Sequence, residues 1–302
     1  MGAAAPLRVV LIFLDGVGIG PNDATINPWL GASLPCLRAL LGGQLPTLDE
    51  PRCNGERALL VPADATLGMP GLPQSGTGQT ALLTGVNTAA LFARHFGPWV
   101  PTTLRALLAE RNLLVRALGV GKSAAFANAY HAREPGKRPA APTLAAHAAG
   151  LLVHGADALR EGRAVASSIT SEMWQRFAPD AGVPDVSPRE AGRTLAGIAA
   201  GVDLTLFAHY DIDFAGHRRG WQGCVAALER VDAFLGGVLE LLPSDALVVI
   251  ASDHGNLEDS RAGHTRNPIP VIAIGPGRAV IADRVTAITD VAPAILQLLE
   301  IE

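Results

Sequence analysis

The chain has 302 residues, 49% of them hydrophobic and 17% charged, with a formal net charge of −4. That is ample apolar material for a sizeable core in one domain or two, and the slight acidity offers no basic surface to nucleic acid. No apolar run approaches the ~20 residues a membrane helix needs. In chain order, the run 8–14 predicts a first strand that ends at Asp15 and Gly16. The next loop, GVGIGPNDATINP, holds too many breakers for a helix. Residues 34–41 predict a short helix and 58–61 a short strand, and Pro/Gly punctuation then runs to Pro73. Residues 77–84 predict a helix that Gly85 stops. Thr102 or Thr103 is expected to cap a helix reaching about Arg111, and 123–127 reads as a strand.

From about 128 to 188 the pattern weakens into Pro-rich pieces and one helical patch at 143–150, which predicts a small insertion or lid over the strand ends. Regularity returns with Ser187, Pro188 and Glu190, a capping-box start for a helix that Gly201 ends. Strands follow at 204–208, 247–251 and 271–274, a long helix at 223–242, and a final helix capped by Thr289 or Asp290. Strands alternating with helices predict one α/β domain over 1–302, with a mostly parallel sheet covered by helices on both faces. Cys36, Cys53 and Cys224 are widely spaced and odd in number. They suit a reducing cytoplasm, with neither a disulfide framework nor a thiolate metal site. The N-terminal run lacks a signal-peptide cleavage pattern, and Pro6 stands where a myristoylation motif needs Ser or Thr.

The chemistry concentrates in four segments expected to be strand-end loops. Asp15 follows the first strand, Ser75 lies in LPQSGTGQT, Asp213 and His217 lie in YDIDFAGH, and Asp253, His254 and His264 lie in SDHGNLEDSRAGHTRNP. Strand ends of an open α/β sheet converge at one edge, where ligands bind. Carboxylate and imidazole donors without thiolate suit Zn or Mn. Six such side chains suffice for two ions, and a pair ~3.5–4 Å apart can clamp the attacking and leaving oxygens of a phosphoryl displacement. Ser75 is expected at the start of the helix 76–84, where free N–H groups and the helix dipole favour an anion and would help activate the hydroxyl. Gly76 and Gly78 are expected to let a phosphate approach the backbone.

Each residue alone has a plainer reading: Asp15 as a turn residue, His217 as a surface histidine, Ser75 as a helix cap. Asp211 rivals Asp213, since residues two apart on an extended chain face the same side, and Thr77 rivals Ser75. His95, His131, His147, His154 and His209 have no such context and read as structural or exposed. Arg218, Arg219 and Arg266 flank candidate ligands, and a solvated charge is the commoner explanation for such residues.

With LDG at 14–16, SGTGQ at 75–79, DFAGH at 213–217, SDHGN at 252–256 and HTRNPIP at 264–270 in this order, the chain resembles the alkaline phosphatase superfamily. Within it, the chain is most similar to the branch of cofactor-independent phosphoglycerate mutase and phosphopentomutase. The resemblance implies that Asp15, Ser75, Asp253 and His254 hold one metal and Asp213, His217 and His264 the other, with Ser75 phosphorylated during turnover. It also chooses Asp213 over Asp211 by its spacing to His217. Gln79 stands where the mutase pattern has His, and the large inserted domain of those mutases has only the modest 128–188 stretch as its counterpart. A sulfatase is excluded, because no Cys-x-Pro-x-Arg motif occurs.

The expected activity is that of a two-metal phosphohydrolase or phosphotransferase acting on a small phosphorylated metabolite through a phosphoserine. The alternatives are a phosphomutase, which needs a site closed to water, and a metal-binding protein without chemistry, which the intact Ser75 disfavours.

Overall fold

The computed structural model describes residues 7–130, 138–151, 154–261 and 263–301. Nine strands are present among them. They are β1 (Arg8–Leu14), β2 (Cys53–Asn54), β3 (Ala58–Ala63), β4 (Ala124–Phe126), β5 (Asn128–Ala129), β6 (Val165–Ala166), β7 (Leu204–His209), β8 (Ala246–Ala251) and β9 (Ile269–Ile274). Seven form one sheet in the order β2-β3-β9-β8-β1-β7-β4, and β5 pairs with β6 apart from it. The central strands β8, β1, β7 and β4 are mutually parallel. β9 joins β8 antiparallel, and β3 and β2 continue that edge antiparallel. The mostly parallel sheet expected from the sequence is therefore mixed at one edge. This matters for the site: because β9 runs backwards, the residues before it emerge where the residues after β1, β7 and β8 do.

Period-two alternation along β1 splits the core into two halves. Val9, Leu11 and Phe13 face one cluster with Leu82, Leu108, Leu114, Ala145 and Ile295. Val10, Ile12 and Leu14 face the other with Leu37, Leu195, Leu228, Phe234 and Val238. Helices thus cover both faces, as a parallel sheet requires. The helix Pro188–Ala199 has the predicted capping box: Glu190 N–H donates to Ser187 Oγ at 3.3 Å and Ser187 N–H to Glu190 Oε2 at 2.9 Å. Ser187→Ala is expected to cost about 1 kcal/mol and to lower the melting temperature by roughly 2 °C in a thermal melt. An unchanged melting point would show that this cap contributes nothing.

Other expectations are corrected. Neither Thr102 nor Thr103 caps the helix Arg105–Arg111. The capping side chain in this region is that of Asn112, which accepts from Leu114 N and Val115 N and starts an unforeseen helix, Leu113–Gly119. The two short helices share one apolar face, so their boundary leaves no trace in periodicity. Within 128–188, the helix Ala141–Ala148 packs its Ala141, Ala145 and Ala146 into the main core. C-terminal to that helix, Ala158, Ala164, Ala166 and Trp174 form a small cluster of their own with Ala129. His131 lies outside the described residues. No helix among the described residues is long and apolar enough to cross a membrane.

Candidate metal centre

All seven residues singled out in the sequence lie at the edge where β1, β7 and β8 end. Asp15 continues the β1–β7 ladder by one rung, its N–H donating to His209 O at 3.0 Å. Asp253 and His254 follow β8 directly and are fully buried. His264 reaches the same edge from the segment before the reversed β9. Asp213 and His217 are not on a loop, as expected, but on the helix Asp211–Arg218 that follows β7. That helix settles a choice extended geometry leaves open. At 100° per residue, Asp213 and His217 are one turn apart on one face, while Asp211 points elsewhere.

The side chains form two groups, Asp15 with Asp253 and His254, and Asp213 with His217 and His264; within each group the potential ligand atoms lie within 4.8 Å of one another. In the first, His254 Nε2 is 3.4 Å from Asp15 Oδ1 and 3.7 Å from Asp253 Oδ2. Both of these oxygens are buried and accept no hydrogen bond. In the second, His217 Nε2 and His264 Nε2 face each other at 3.1 Å, and lie 3.5 and 3.9 Å from the two Asp213 oxygens. His264 Nδ1 sits 2.9 Å from Pro73 O and His254 Nδ1 3.3 Å from Gly255 O. A proton on each Nδ1 then leaves Nε2 as a lone-pair donor, the usual orientation of a metal-ligating histidine.

The electrostatics agree. Burial and then the Asp15 charge raise the Asp253 carboxyl well above the carboxylate range, and the same two causes raise Asp213. Burial opposes the charged form of His254, but Asp253, Asp15 and Asp213 outweigh it and lift the imidazolium to about 10. Burial and the neighbouring His254 charge push His264 down to about 4. Three crowded carboxylates, two oxygens without a donor and imidazole nitrogens aimed at them fit divalent cations, whose charge would replace that of the His254 proton. The two groups differ in access: Asp253 and His254 are closed off, whereas the His217 side chain is 40% exposed. The second group opens into a cleft of about 570 Å³ lined also by Leu72, Gln74, Ser75 and Pro98.

Ser75 begins the helix Ser75–Thr84 and points its Oγ at His254 Nε2, 3.0 Å away. Its rival Thr77 turns from the site, its hydroxyl bridging Phe96 N at 3.1 Å and Gln74 O at 3.3 Å. Gly76 and Gly78 are required by packing: a Cβ on Gly76 would meet Trp99 O at 2.2 Å, and one on Gly78 would meet Asp253 O at 2.8 Å. Gln79 orients Asp15 by donating to its Oδ2 at 3.2 Å, and is itself held by Ala141 N–H. Sequence reading missed Ser252, Asn256 and Glu258, which make no ligand group but tie the loops together. Arg218 and Arg219 lie over the exposed Phe214 ring at the cleft edge. Of the histidines set aside, His209 is fully buried with Nδ1 at 2.8 Å from Ser167 O.

Residues 185–302 match the family model of the metalloenzyme superfamily. A segment of 134 residues, 41% of the chain, is 34% identical to a 2,3-bisphosphoglycerate-independent phosphoglycerate mutase of Cereibacter sphaeroides. A mutase of the same name from Paracoccus denitrificans is 35% identical over 136 residues. The chain covers 25% and 26% of these relatives' own lengths. Among solved structures, an alkaline phosphatase from the Antarctic bacterium TAB5 superposes with a TM-score of 0.55 at 12% identity, covering 98% of this chain and 99% of that one. A Pyrococcus horikoshii protein does so with a TM-score of 0.59 at 15% identity, each chain covered to 98%. At such identities the likeness is one of fold. The fold is therefore alkaline-phosphatase-like, and the match to the metalloenzyme superfamily lies in its C-terminal part, 185–302.

Proposed function

We propose that the protein is a two-metal phosphohydrolase or phosphotransferase that acts on a small phosphorylated metabolite through phosphorylated Ser75. The observation that carries this is the placement of the Ser75 hydroxyl, 3.0 Å from His254 Nε2 and at a helix start, beside two groups of carboxylates and imidazoles. Asp15, Asp253 and His254, with Ser75, would hold one cation, and Asp213, His217 and His264 the other. The nitrogen and oxygen donors suit Zn or Mn, and the bound cations supply positive charge against the phosphoryl oxygens.

The chain's own residues do the rest. The start of the helix Ser75–Thr84 favours the phosphate anion through its dipole and the N–H groups of Ser75 and Gly76, that of Thr77 being taken by Phe96 O. Ser75 Oγ forms the bond to phosphorus as the ester oxygen leaves, and an alcohol or water then takes the phosphoryl group from serine. The exposure of His217 and the open cleft favour water as that acceptor. A phosphomutase is the second reading, supported by the names of the relatives, of which the chain spans a quarter. The free Cys36, Cys53 and Cys224 suit a cytoplasmic setting.

Purified protein saturated with Mn or Zn is expected to hold two ions per chain by metal analysis and to release phosphate from p-nitrophenyl phosphate or from members of a metabolite panel. One ion or none under excess metal would sink the two-metal reading. Transfer between sugar phosphates without phosphate release would establish the mutase instead, and silence across the panel a binding protein.

A further inference from the structure

The loop after β8 carries a carboxylate that belongs to neither ligand group. Glu258 is fully buried. An ionised carboxylate in that setting is strongly disfavoured unless hydrogen bonds saturate it, and here they come from four residues. Oε2 accepts from Gly18 N at 2.9 Å and from Asn256 N at 2.8 Å. Oε1 accepts from Thr265 Oγ1 and, at 3.1 Å, from Asn267 Nδ2. Three loops end on this one side chain: the loop bearing Asp15, the loop bearing Asp253 and His254, and the segment bearing His264. Asn256 extends the link to the fourth element, its Nδ2 donating to Asp213 Oδ1 at 2.6 Å and to Asp213 O at 3.1 Å. A Cβ on Gly18 or on Gly255 would lie 2.4 Å from the Glu258 carboxylate, so glycine at both positions makes room for it.

We propose that Glu258 is a positioning residue that sets the spacing between the Asp15–Asp253–His254 group and the Asp213–His217–His264 group. The inference rests on the two-metal reading above. Charge-assisted hydrogen bonds are short and directional, so a carboxylate with four donors fixes the loops more tightly than packing alone. Spacing is the quantity that matters here, because two-metal sites that clamp one displacement hold their ions ~3.5–4 Å apart.

The test uses the full chain loaded with Mn²⁺, read by titration and by electron paramagnetic resonance. Native protein is expected to bind two Mn²⁺ with the broadened spectrum of a magnetically coupled pair. Thr265→Val keeps the side chain's shape and the backbone bond from Thr265 N to Gly255 O at 2.9 Å, but removes the hydroxyl tie beside His264. It is expected to weaken one Mn²⁺ site by roughly 10–100-fold, the usual cost of losing an outer-sphere partner, and to leave the other unchanged. Thr265→Ser is expected to restore both. Glu258→Gln keeps the side-chain size but cannot accept from all four donors. It is expected to replace the coupled spectrum by the six-line signal of isolated Mn²⁺. A merely structural role would lower the melting temperature without this one-site loss or spectral change. Native affinities and a native coupled spectrum in both Thr265→Val and Glu258→Gln, or equal weakening of both sites by Thr265→Val, would overturn the inference and leave the two-metal reading standing. Fewer than two Mn²⁺ in the native protein would overturn both.

Discussion

Replacing Ser75 by alanine is expected to abolish turnover while leaving the fold intact. Ser75 is buried, 6% exposed, and so is not the surface-loop residue its Pro/Gly-rich approach suggests. It caps nothing: the position before the helix is Gln74, and no side-chain cap bond is present there. The substitution removes one hydrogen bond, between Oγ and His254 Nε2, and a typical one is worth about 1 kcal/mol. The chemical loss is far larger, since the rival hydroxyl, that of Thr77, is committed to Phe96 and Gln74. Removing a nucleophile of this kind lowers kcat by ~10⁶-fold in a well-studied serine enzyme. Peptide mass spectrometry after an acid quench with substrate should find phosphate on Ser75 in the native protein and none in the variant. Ser75→Thr should retain part of the activity, and Thr77→Ala nearly all. Phosphate on Thr77, or full activity in Ser75→Ala, would mean that another group attacks phosphorus.

The second large effect is expected at Asp253, and it has opposite signs with and without metal. In the metal-free protein Asp253 is a buried carboxylate beside Asp15 and Asp213, with its carboxyl raised well above the usual range by burial first and Asp15 next. An acid whose pKa is raised by folding destabilises the folded state at any pH above its unfolded value, so at neutral pH this group works against the fold. That direction already includes the opposing attraction of His254. Asp253→Asn removes the charge and keeps the shape, so the metal-free variant is expected to melt no lower than the metal-free native protein. The native protein should gain about 2.7 kcal/mol from a metal at a hundred times its dissociation constant. The variant should lose that gain at the group shared with Asp15 and His254, and retain binding at Asp213, His217 and His264. Thermal melts with and without chelator measure both signs at once. A native-sized metal shift in Asp253→Asn would remove Asp253 from the ligand set.

The two predictions together describe a site kept at the cost of stability. Asp15 Oδ1 and Asp253 Oδ2 are buried without a hydrogen-bond donor, a cost a fold bears where function requires it. Glu258 lies in the same loop with every lone-pair direction used, which marks it as support.

What the sequence determined by itself is the scaffold and the inventory of the site. The apolar runs that became β1, β7 and β8 are unmistakable because strands buried on both faces read as unbroken hydrophobic stretches. The Ser187–Glu190 capping box is legible because its partners are three residues apart. The seven candidate residues stand out because each follows such a run or lies in a motif of fixed spacing. The resemblance implied the two groups, but tertiary structure alone gives the contacts by which they meet. Asp213 and Asp211 are equivalent on an extended chain; the resemblance chose Asp213 by its spacing to His217, and the helix Asp211–Arg218 supplies the physical reason. Ser75 and Thr77 are both hydroxyls in one glycine-rich stretch, and they part because His254, 179 residues away, takes one and Phe96 the other. The reversal of β9, which brings His264 to the common edge, leaves no mark in a run that reads the same in either direction. Glu258 left no mark in periodicity, and its bond to Gly18 spans 240 residues. Periodicity and caps report contacts within a few residues; contacts across a sheet edge are set by the path of the chain, which only the folded molecule records.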